Sequence, residues 1–113
     1  MSMSIKRVYE HPESSDGYRV LVDRLWPRGV AKANASVDLW LREIGPSDEL
    51  RKWFGHVPER FAEFATKYRA ELDDNAAVKE LQEVIASHDT VTLVYSAKDE
   101  EHNQAVVLAD YLG

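Results

Sequence analysis

The sequence predicts an α/β fold, a single domain with a small, mainly parallel sheet flanked by helices. Two apolar, β-branched runs that suit strands lie far apart in the chain, at residues 18–25 and 91–95. Helical periodicity fills most of the sequence between them, so crossover connections must join the strands, and such connections make strands parallel. The chain has 113 residues, which is the usual length of one domain. We therefore treat residues 1–113 as one domain.

Four segments have the composition of strands. They are residues 5–9, 18–25, 37–44 and 91–95. In the second segment, Val20 and Val22 lie on one face and Leu21 on the other, which is typical of a central strand covered on both sides. Residues 37–44 alternate apolar and polar side chains and favour a strand, although Leu41 and Ile44 also fit a helix. The last segment is apolar on both faces, and we expect it to be a buried strand.

Helix signals lie between and after these strands. Ser47 is a suitable N-cap for a short helix that reaches about residue 56. Pro58 suits a first helical position, and after it four apolar side chains recur at helical spacing. They are Phe61, Phe64, Tyr68 and Leu72. Another amphipathic helix follows the break at residues 73–75, and a final helix is predicted at about residues 100–112 with Asp99 as its cap.

Composition and charge exclude several classes of function. The formal net charge of −6 and the isoelectric point of about 5.1 argue against a general polyanion-binding protein. Residues 1–69 nevertheless hold 12 basic and 10 acidic side chains, whereas residues 70–113 hold 2 basic and 10 acidic ones. There is no cysteine, which excludes disulfides, a thiol nucleophile and cysteine-based metal sites. The four histidines show no metal-binding spacing, and we expect no metal and no cofactor.

The sequence also predicts where the protein is found. The first ten residues have no apolar run of signal-peptide length, and no stretch is long and apolar enough to span a bilayer. We expect a cytoplasmic protein with no membrane partner.

The topology indicates where a ligand site lies. Parallel sheets bind ligands beyond the carboxyl ends of their strands, so we expect the site in the segments after Asp23 and after Tyr95. In the first segment, Arg24 and Arg28 flank Trp26, and two guanidinium groups suit a carboxylate or a phosphate. The alternative is that Arg24 forms an internal ion pair and that Trp26 belongs to the core.

The second segment offers further donors for an anion. Ser96, Lys98 and Asn103 lie where a strand leads into a helix, and Tyr95 supplies an aromatic wall. Ser47 and Arg51 on the predicted short helix complete the candidate set. The alternative is that the acidic residues 99–101 only stabilise the helix dipole, and these carboxylates would repel an anion.

Three motifs resemble one known family. They are DRLWPRG at residues 23–29, PSDELRKWF at residues 46–54 and LVYSAK at residues 93–98. These strings are similar to those of the YeaO-like family of small bacterial proteins, and the similarity extends over nearly the whole chain. The resemblance implies a small α/β domain of unknown function. The motifs include the candidate site residues after Asp23 and Tyr95, but they assign no role to them.

We expect from these observations a protein that binds a small anionic molecule in a basic pocket. Asp23 and Lys98 are the candidate catalytic residues, and whether a reaction takes place stays open. A carboxylate among arginines has a depressed pKa, so we expect Asp23 to be a poor proton acceptor. One alternative is a nucleic-acid-binding module that uses a local basic patch made of Arg19, Arg24, Arg28 and Lys32 with Trp26. Another is a regulatory module that binds a protein partner through the acidic helices after residue 70. The sequence does not predict the oligomeric state.

Overall fold

Four strands form one sheet in the order β1-β4-β2-β3. The computed structural model describes residues 2–113, so Met1 of the predicted domain lies outside the described residues. The strands are β1 (Ser2–Arg7), β2 (Tyr18–Leu21), β3 (Leu39–Trp40) and β4 (Thr90–Tyr95). Every pair of neighbouring strands in this sheet is parallel, which confirms the predicted fold class.

Helices make up most of the remaining chain. They are α1 (Lys32–Ala35), α2 (Asp48–Phe54), α3 (Phe61–Asp73), α4 (Ala77–Ser87) and α5 (Gln104–Leu112). Short 3-10 turns occupy Ser14–Asp16, Arg42–Ile44 and Pro58–Arg60. No helix among residues 2–113 has the length and apolar character needed to cross a bilayer.

The two faces of the sheet are covered in different ways. One face, which includes Val20 and Leu93, packs against α2, α3, α4 and α5 in the main core. The other face carries Leu21 and Val94 and is covered at one end by a smaller cluster. Both central strands are thus buried on both sides, as the apolar composition of β2 and β4 predicted.

The apolar stripe predicted along α3 is confirmed. Phe64, Tyr68 and Leu72 are buried, and Phe61 packs at the edge of the same cluster. The hydroxyl of Tyr68 donates a 2.6 Å hydrogen bond to the carbonyl oxygen of Ile44. The buried hydroxyl of Tyr68 thus has a hydrogen-bond acceptor, although its ring is packed in the core.

The second strand is shorter than predicted. Its pairing ends at Leu21 rather than near residue 25, although the N–H of Val22 still donates to the carbonyl oxygen of Val94. The carbonyl oxygen of Asp23 instead accepts a 2.7 Å hydrogen bond from the Trp40 indole. The Trp40 side chain, rather than a backbone group of a neighbouring strand, is thus the hydrogen-bond partner of this carbonyl oxygen, and the chain leaves the sheet at this point.

The strand predicted at residues 37–44 is mostly wrong. Only Leu39 and Trp40 pair with β2, and the next residues form a 3-10 turn. That turn brings Leu41 and Ile44 inward together, with 3% and 0% of their surface exposed. The helical spacing of these two side chains was the stronger signal.

The last helix begins later than predicted, at Gln104. The side chain of Asp99 accepts from the N–H groups of Glu101 and His102 and so stabilises a separate turn. Asn103 is the actual N-cap, because its side-chain oxygen accepts from the N–H of Val106. The four-residue helix α1 was not predicted from the sequence.

Candidate functional site

The segments after β2 and β4 meet at the carboxyl edge of the sheet. The backbone N–H of Ser96 donates a 2.9 Å hydrogen bond to Oδ2 of Asp23. The side-chain amide of Gln104, the first residue of α5, donates to the other carboxylate oxygen. The two segments that the topology singled out are therefore joined through one buried carboxylate.

A cavity of about 200 Å³ opens beside this junction. Its wall has a polar part and an apolar part. The polar part comprises Asp23, Arg24, Arg51, His56, Ser96 and Gln104, and the apolar part comprises Leu25, Pro46, Phe54, Phe64 and Ala97. Four of the residues predicted for the site, Asp23, Arg24, Arg51 and Ser96, thus line one cavity.

Arg24 is held in place by the segment that precedes α2. Its Nε donates a 2.6 Å hydrogen bond to the carbonyl oxygen of Pro46. The close approach of the two segments depends on Gly45, because a Cβ atom there would lie 3.1 Å from both the backbone nitrogen and Cγ of Arg24. Among residues 2–113, no carboxylate lies within 4.0 Å of the Arg24 guanidinium, so the internal ion pair considered for it does not form.

Arg51 reaches the cavity from α2. Ser47 fixes the start of that helix, because its Oγ accepts a 3.2 Å hydrogen bond from the N–H of Leu50. The Arg51 guanidinium has only a long contact with Asp48, at 3.5 Å. Its Nε is buried and has no hydrogen-bond partner among the described residues. The Arg51 side chain as a whole is 40% exposed, so its charge stays in contact with water and only this one N–H lacks a partner.

The charge state of Asp23 differs from the expectation. Burial raises the pKa of its carboxyl group, and the hydrogen bonds from Ser96 and Gln104 offset this effect only in part. The expected depression of this pKa is therefore wrong, because loss of hydration outweighs nearby positive charge. The carboxylate has Ser96 on one oxygen and Gln104 on the other, so it braces the edge of the sheet.

The apolar wall is built from stacked rings. Phe54 at the end of α2 and Phe64 on α3 have centroids 4.3 Å apart and an interplanar angle of 21°. Next to Phe54, Gly55 ends α2 in the left-handed conformation and His56 follows with a φ of 59°. A positive φ is uncommon for histidine and carries a conformational cost.

Three predicted site residues face away from the cavity. Trp26 packs edge-on against Trp40 in the smaller cluster, and its indole donates to the carbonyl oxygen of Val30. This is the core role that was the alternative for Trp26. Arg28 and Lys98 are exposed and do not line the cavity.

The other three predicted residues have structural contacts. Tyr95 is 1% exposed in the main core, and burial raises the pKa of its phenol. Asn103 caps α5. Ser47 caps α2, and both its N–H and its hydroxyl donate to the Glu71 carboxylate. None of the three lines the cavity.

Most residues of the cavity wall were not predicted from the sequence. Gln104 could have been found if the start of α5 had been placed correctly, since it is the first residue after the true cap. Phe64 was predicted only as part of the apolar stripe of α3, and Phe54 was expected to be a core or groove aromatic. His56 gave no signal, because its position depends on the left-handed end of α2.

Comparison with known proteins identifies the family. The chain is 47% identical over 112 residues to the uncharacterised protein YeaO of Escherichia coli (strain K12), which covers 99% of this chain and 97% of that protein. It is 44% identical over 108 residues to uncharacterised proteins of Mycobacterium bovis and Mycobacterium tuberculosis, covering 96% of this chain and 91% of each relative. No solved structure shows significant similarity to the chain. Residues 2–113 match the family described as the inactive DUF488-N3 subclade. The chain therefore belongs to this subclade, and the predicted membership of the YeaO-like family is confirmed.

Proposed function

We propose that the protein binds a small carboxylate- or phosphate-bearing molecule in the cavity between the ends of β2 and β4. The observation that carries this proposal is that the guanidinium-bearing side chains of Arg24 and Arg51 line the same cavity. The buried Nε of Arg51 has no hydrogen-bond partner in the described part of the chain, so the protein itself does not use all the donors of this guanidinium. An oxyanion in the cavity would accept hydrogen bonds from the two guanidinium groups and balance their charge.

The balance of charge in the cavity supports the same ligand class. Arg24 and Arg51 contribute two permanent positive charges, and Asp23 is the only carboxylate among the lining residues. Within the described residues Arg24 has no carboxylate within 4.0 Å, and Arg51 has only the exposed Asp48 carboxylate, at 3.5 Å. Guanidinium groups bind carboxylates and phosphates through paired hydrogen bonds, so both are available for a ligand.

We propose binding rather than catalysis. The description of the family as an inactive subclade supports this choice. The geometry supports it too, because each oxygen of Asp23 already accepts a hydrogen bond from the protein. Lys98, the other candidate for catalysis, does not line the cavity. The residues that remain act on the ligand through charge and shape.

The nucleic-acid alternative is weakened by one residue. Its basic patch included Arg19, but this side chain is only 4% exposed and pairs with Asp16. Arg19 also donates to the carbonyl oxygens of Ser36 and Ala35. A guanidinium used in this way is not free to contact phosphates, so the patch loses one of its four basic residues.

A thermal-shift series tests the proposal. Phosphate, sulfate, acetate and other small carboxylates are added to the wild-type protein and to Arg51→Gln. A ligand present at 100 times its Kd stabilises the folded state by about 2.7 kcal/mol, which is a rise in melting temperature of roughly 10 °C for a domain of this size. We expect at least one anion to raise the melting temperature of the wild type and to lose this effect in Arg51→Gln.

The matched control is Lys52→Gln. Lys52 is the next residue of α2, is exposed and does not line the cavity, so the same charge is removed outside the site. Lys98→Gln and Arg28→Gln extend the control to the two predicted cations that lie elsewhere. The proposal is wrong if no anion stabilises the wild type, or if Lys52→Gln loses the effect as completely as Arg51→Gln.

A further inference from the structure

The apolar part of the cavity constrains the ligand beyond its charge. Phe54 and Phe64 are 5% and 1% exposed, and their stacked rings share the cavity with Ala97 and Pro46. These rings are already buried by the protein, and a bare inorganic anion would bind the two guanidinium groups without filling the apolar part of the cavity. A ligand with an apolar body would cover the wall and gain from the burial of its own surface.

The volume of the cavity limits the size of that body. An engineered apolar cavity of about 150 Å³ in another protein takes up a benzene molecule. The cavity here is about 200 Å³, so it has room for a six-membered ring and an anionic group of a few atoms. It is smaller than the roughly 300–1,000 Å³ of pockets that hold drug-sized ligands, which argues against a nucleotide.

The charges of the wall favour a single negative charge on the ligand. The charged and titratable groups that line the cavity are Arg24 and Arg51, together with Asp23 and His56. The Asp23 carboxylate offsets part of the field of the two arginines and would repel a dianion more strongly than a monoanion. A carboxylate matches this balance better than a phosphate monoester does.

We propose that the ligand is a monocarboxylic acid with one compact apolar group of about the size of a six-membered ring. This inference rests on the proposed function, since it takes anion binding in the cavity as given. The carboxylate accepts hydrogen bonds from the Arg24 and Arg51 guanidinium groups. The apolar group packs against Phe54 and Phe64.

Four small molecules test the inference on the wild-type protein, and three of them differ from the first, benzoate, in one feature. Benzoate carries the ring and the single charge, acetate lacks the ring, benzyl alcohol lacks the charge, and phenyl phosphate replaces the carboxylate. Binding is measured by isothermal titration calorimetry or by chemical-shift titration. We expect benzoate to bind about tenfold to a hundredfold more tightly than acetate, because burial of a ring adds that much to affinity.

Two variants test whether the ring of the ligand binds in the apolar part of the cavity. Ala97→Leu fills the apolar part without altering a charge, and we expect it to lower benzoate affinity to the level of acetate while acetate binding is retained. Phe54→Leu removes one of the two stacked aromatic rings, and it is the substitute test if Ala97→Leu does not fold. It should weaken benzoate and leave acetate unchanged.

The outcomes separate this inference from the proposed function. Equal affinity for benzoate and acetate overturns the inference, and so does tighter binding of phenyl phosphate than of benzoate; both results leave anion binding intact. Binding of benzyl alcohol as tight as that of benzoate overturns the proposed function, because charge then contributes nothing. Failure of all four probes and of inorganic anions overturns both.

Discussion

The backbone N–H of Ser96 lies 2.9 Å from Oδ2 of Asp23 and ties the end of β4 to the end of β2. The bond forms at the edge of the sheet where parallel strands finish, and it holds the wall of the cavity together. Asp23 therefore serves the site as a buried brace, and its ionisation is coupled to folding. This coupling can be measured.

We expect Asp23→Asn to gain stability relative to the wild type as the pH rises. Burial raises the folded-state pKa of Asp23 above its ordinary value of 3.8. The folded state therefore keeps this proton where the unfolded chain has lost it, so the wild type loses stability as the pH rises through that window. Asparagine does not titrate. Urea unfolding of both proteins at about pH 3.5 and at neutral pH gives the difference. A difference that is constant or falls with pH would contradict the expectation.

Asp16→Asn should show the opposite dependence on pH. Asp16 accepts hydrogen bonds from Lys6 and Arg19 on the second face of the sheet. Burial alone would raise its pKa, but the hydrogen bonds from the Glu13 N–H, Lys6 and Arg19 outweigh burial and lower it. Its contribution is thus complete above the unfolded-state pKa and is lost as the pH falls through the folded-state value.

The expected cost of Asp16→Asn at neutral pH is about 3 kcal/mol, because Lys6 and Arg19 lose the acceptor that they share. This deficit should shrink as the pH falls below 3.8, the ordinary pKa of the group. Urea unfolding at pH 7 and at about pH 3 measures it. Asp89→Asn, at an exposed acid, is the control and should change little. An equal deficit at both pH values would show that the ion pairs are not its source.

Gly17→Ala should destabilise the protein much more than Gly29→Ala does. Both glycines have a positive φ, of 67° and 73°. A Cβ atom at Gly17 would lie 2.7 Å from the Cβ of Thr90, whereas nothing lies within 4 Å of one at Gly29. The strained backbone at a positive φ costs an alanine about 1–3 kcal/mol, and we expect the steric clash to add roughly 1–3 kcal/mol at Gly17. Thermal unfolding of the two variants measures the difference, and equal losses would contradict it.

Ser47→Ala should lower stability without removing the anion site. The hydroxyl caps α2 and also donates to Glu71, so its loss should cost about 1–2 kcal/mol. The side chain does not line the cavity, so we expect the stabilisation by an added anion to match that of the wild type. Melting temperatures with and without the anion separate the two effects. A loss of the anion effect with little loss of stability would return Ser47 to the binding residues.

The sequence predicted those features that depend on short-range patterns or on topology. The cap at Ser47 and the apolar stripe on α3 need only neighbouring residues, and both are confirmed. The meeting of the segments after Asp23 and Tyr95 needs only the rule that parallel strands end at one edge. The start of α5 was misplaced because Asp99 and Asn103 are equally good caps in a sequence, and the structure uses each for a different turn.

The directions of the long basic side chains could not be predicted. Arg24 and Arg28 are only four positions apart in the sequence, yet Arg24 lines the cavity and Arg28 is exposed outside it. The difference arises where the chain leaves β2. There the Trp40 indole donates a hydrogen bond to the carbonyl oxygen of Asp23, and Arg24 donates one to the carbonyl oxygen of Pro46. Both partners are distant in sequence, so no local pattern carries this information.

The order of the strands has a consequence for how the protein folds during synthesis. β4 lies between β1 and β2, and its pairing with β1 joins Ser4 to Thr92, 88 residues apart. β2 and β3 share only two residue pairs, so little of the sheet can assemble before residues 90–95 have left the ribosome. Contacts between such distant segments slow folding, because the loop between them must close first. We therefore expect β4, the last strand to be synthesised, to complete the sheet. Until then the helices made before it have no complete sheet to cover their apolar faces.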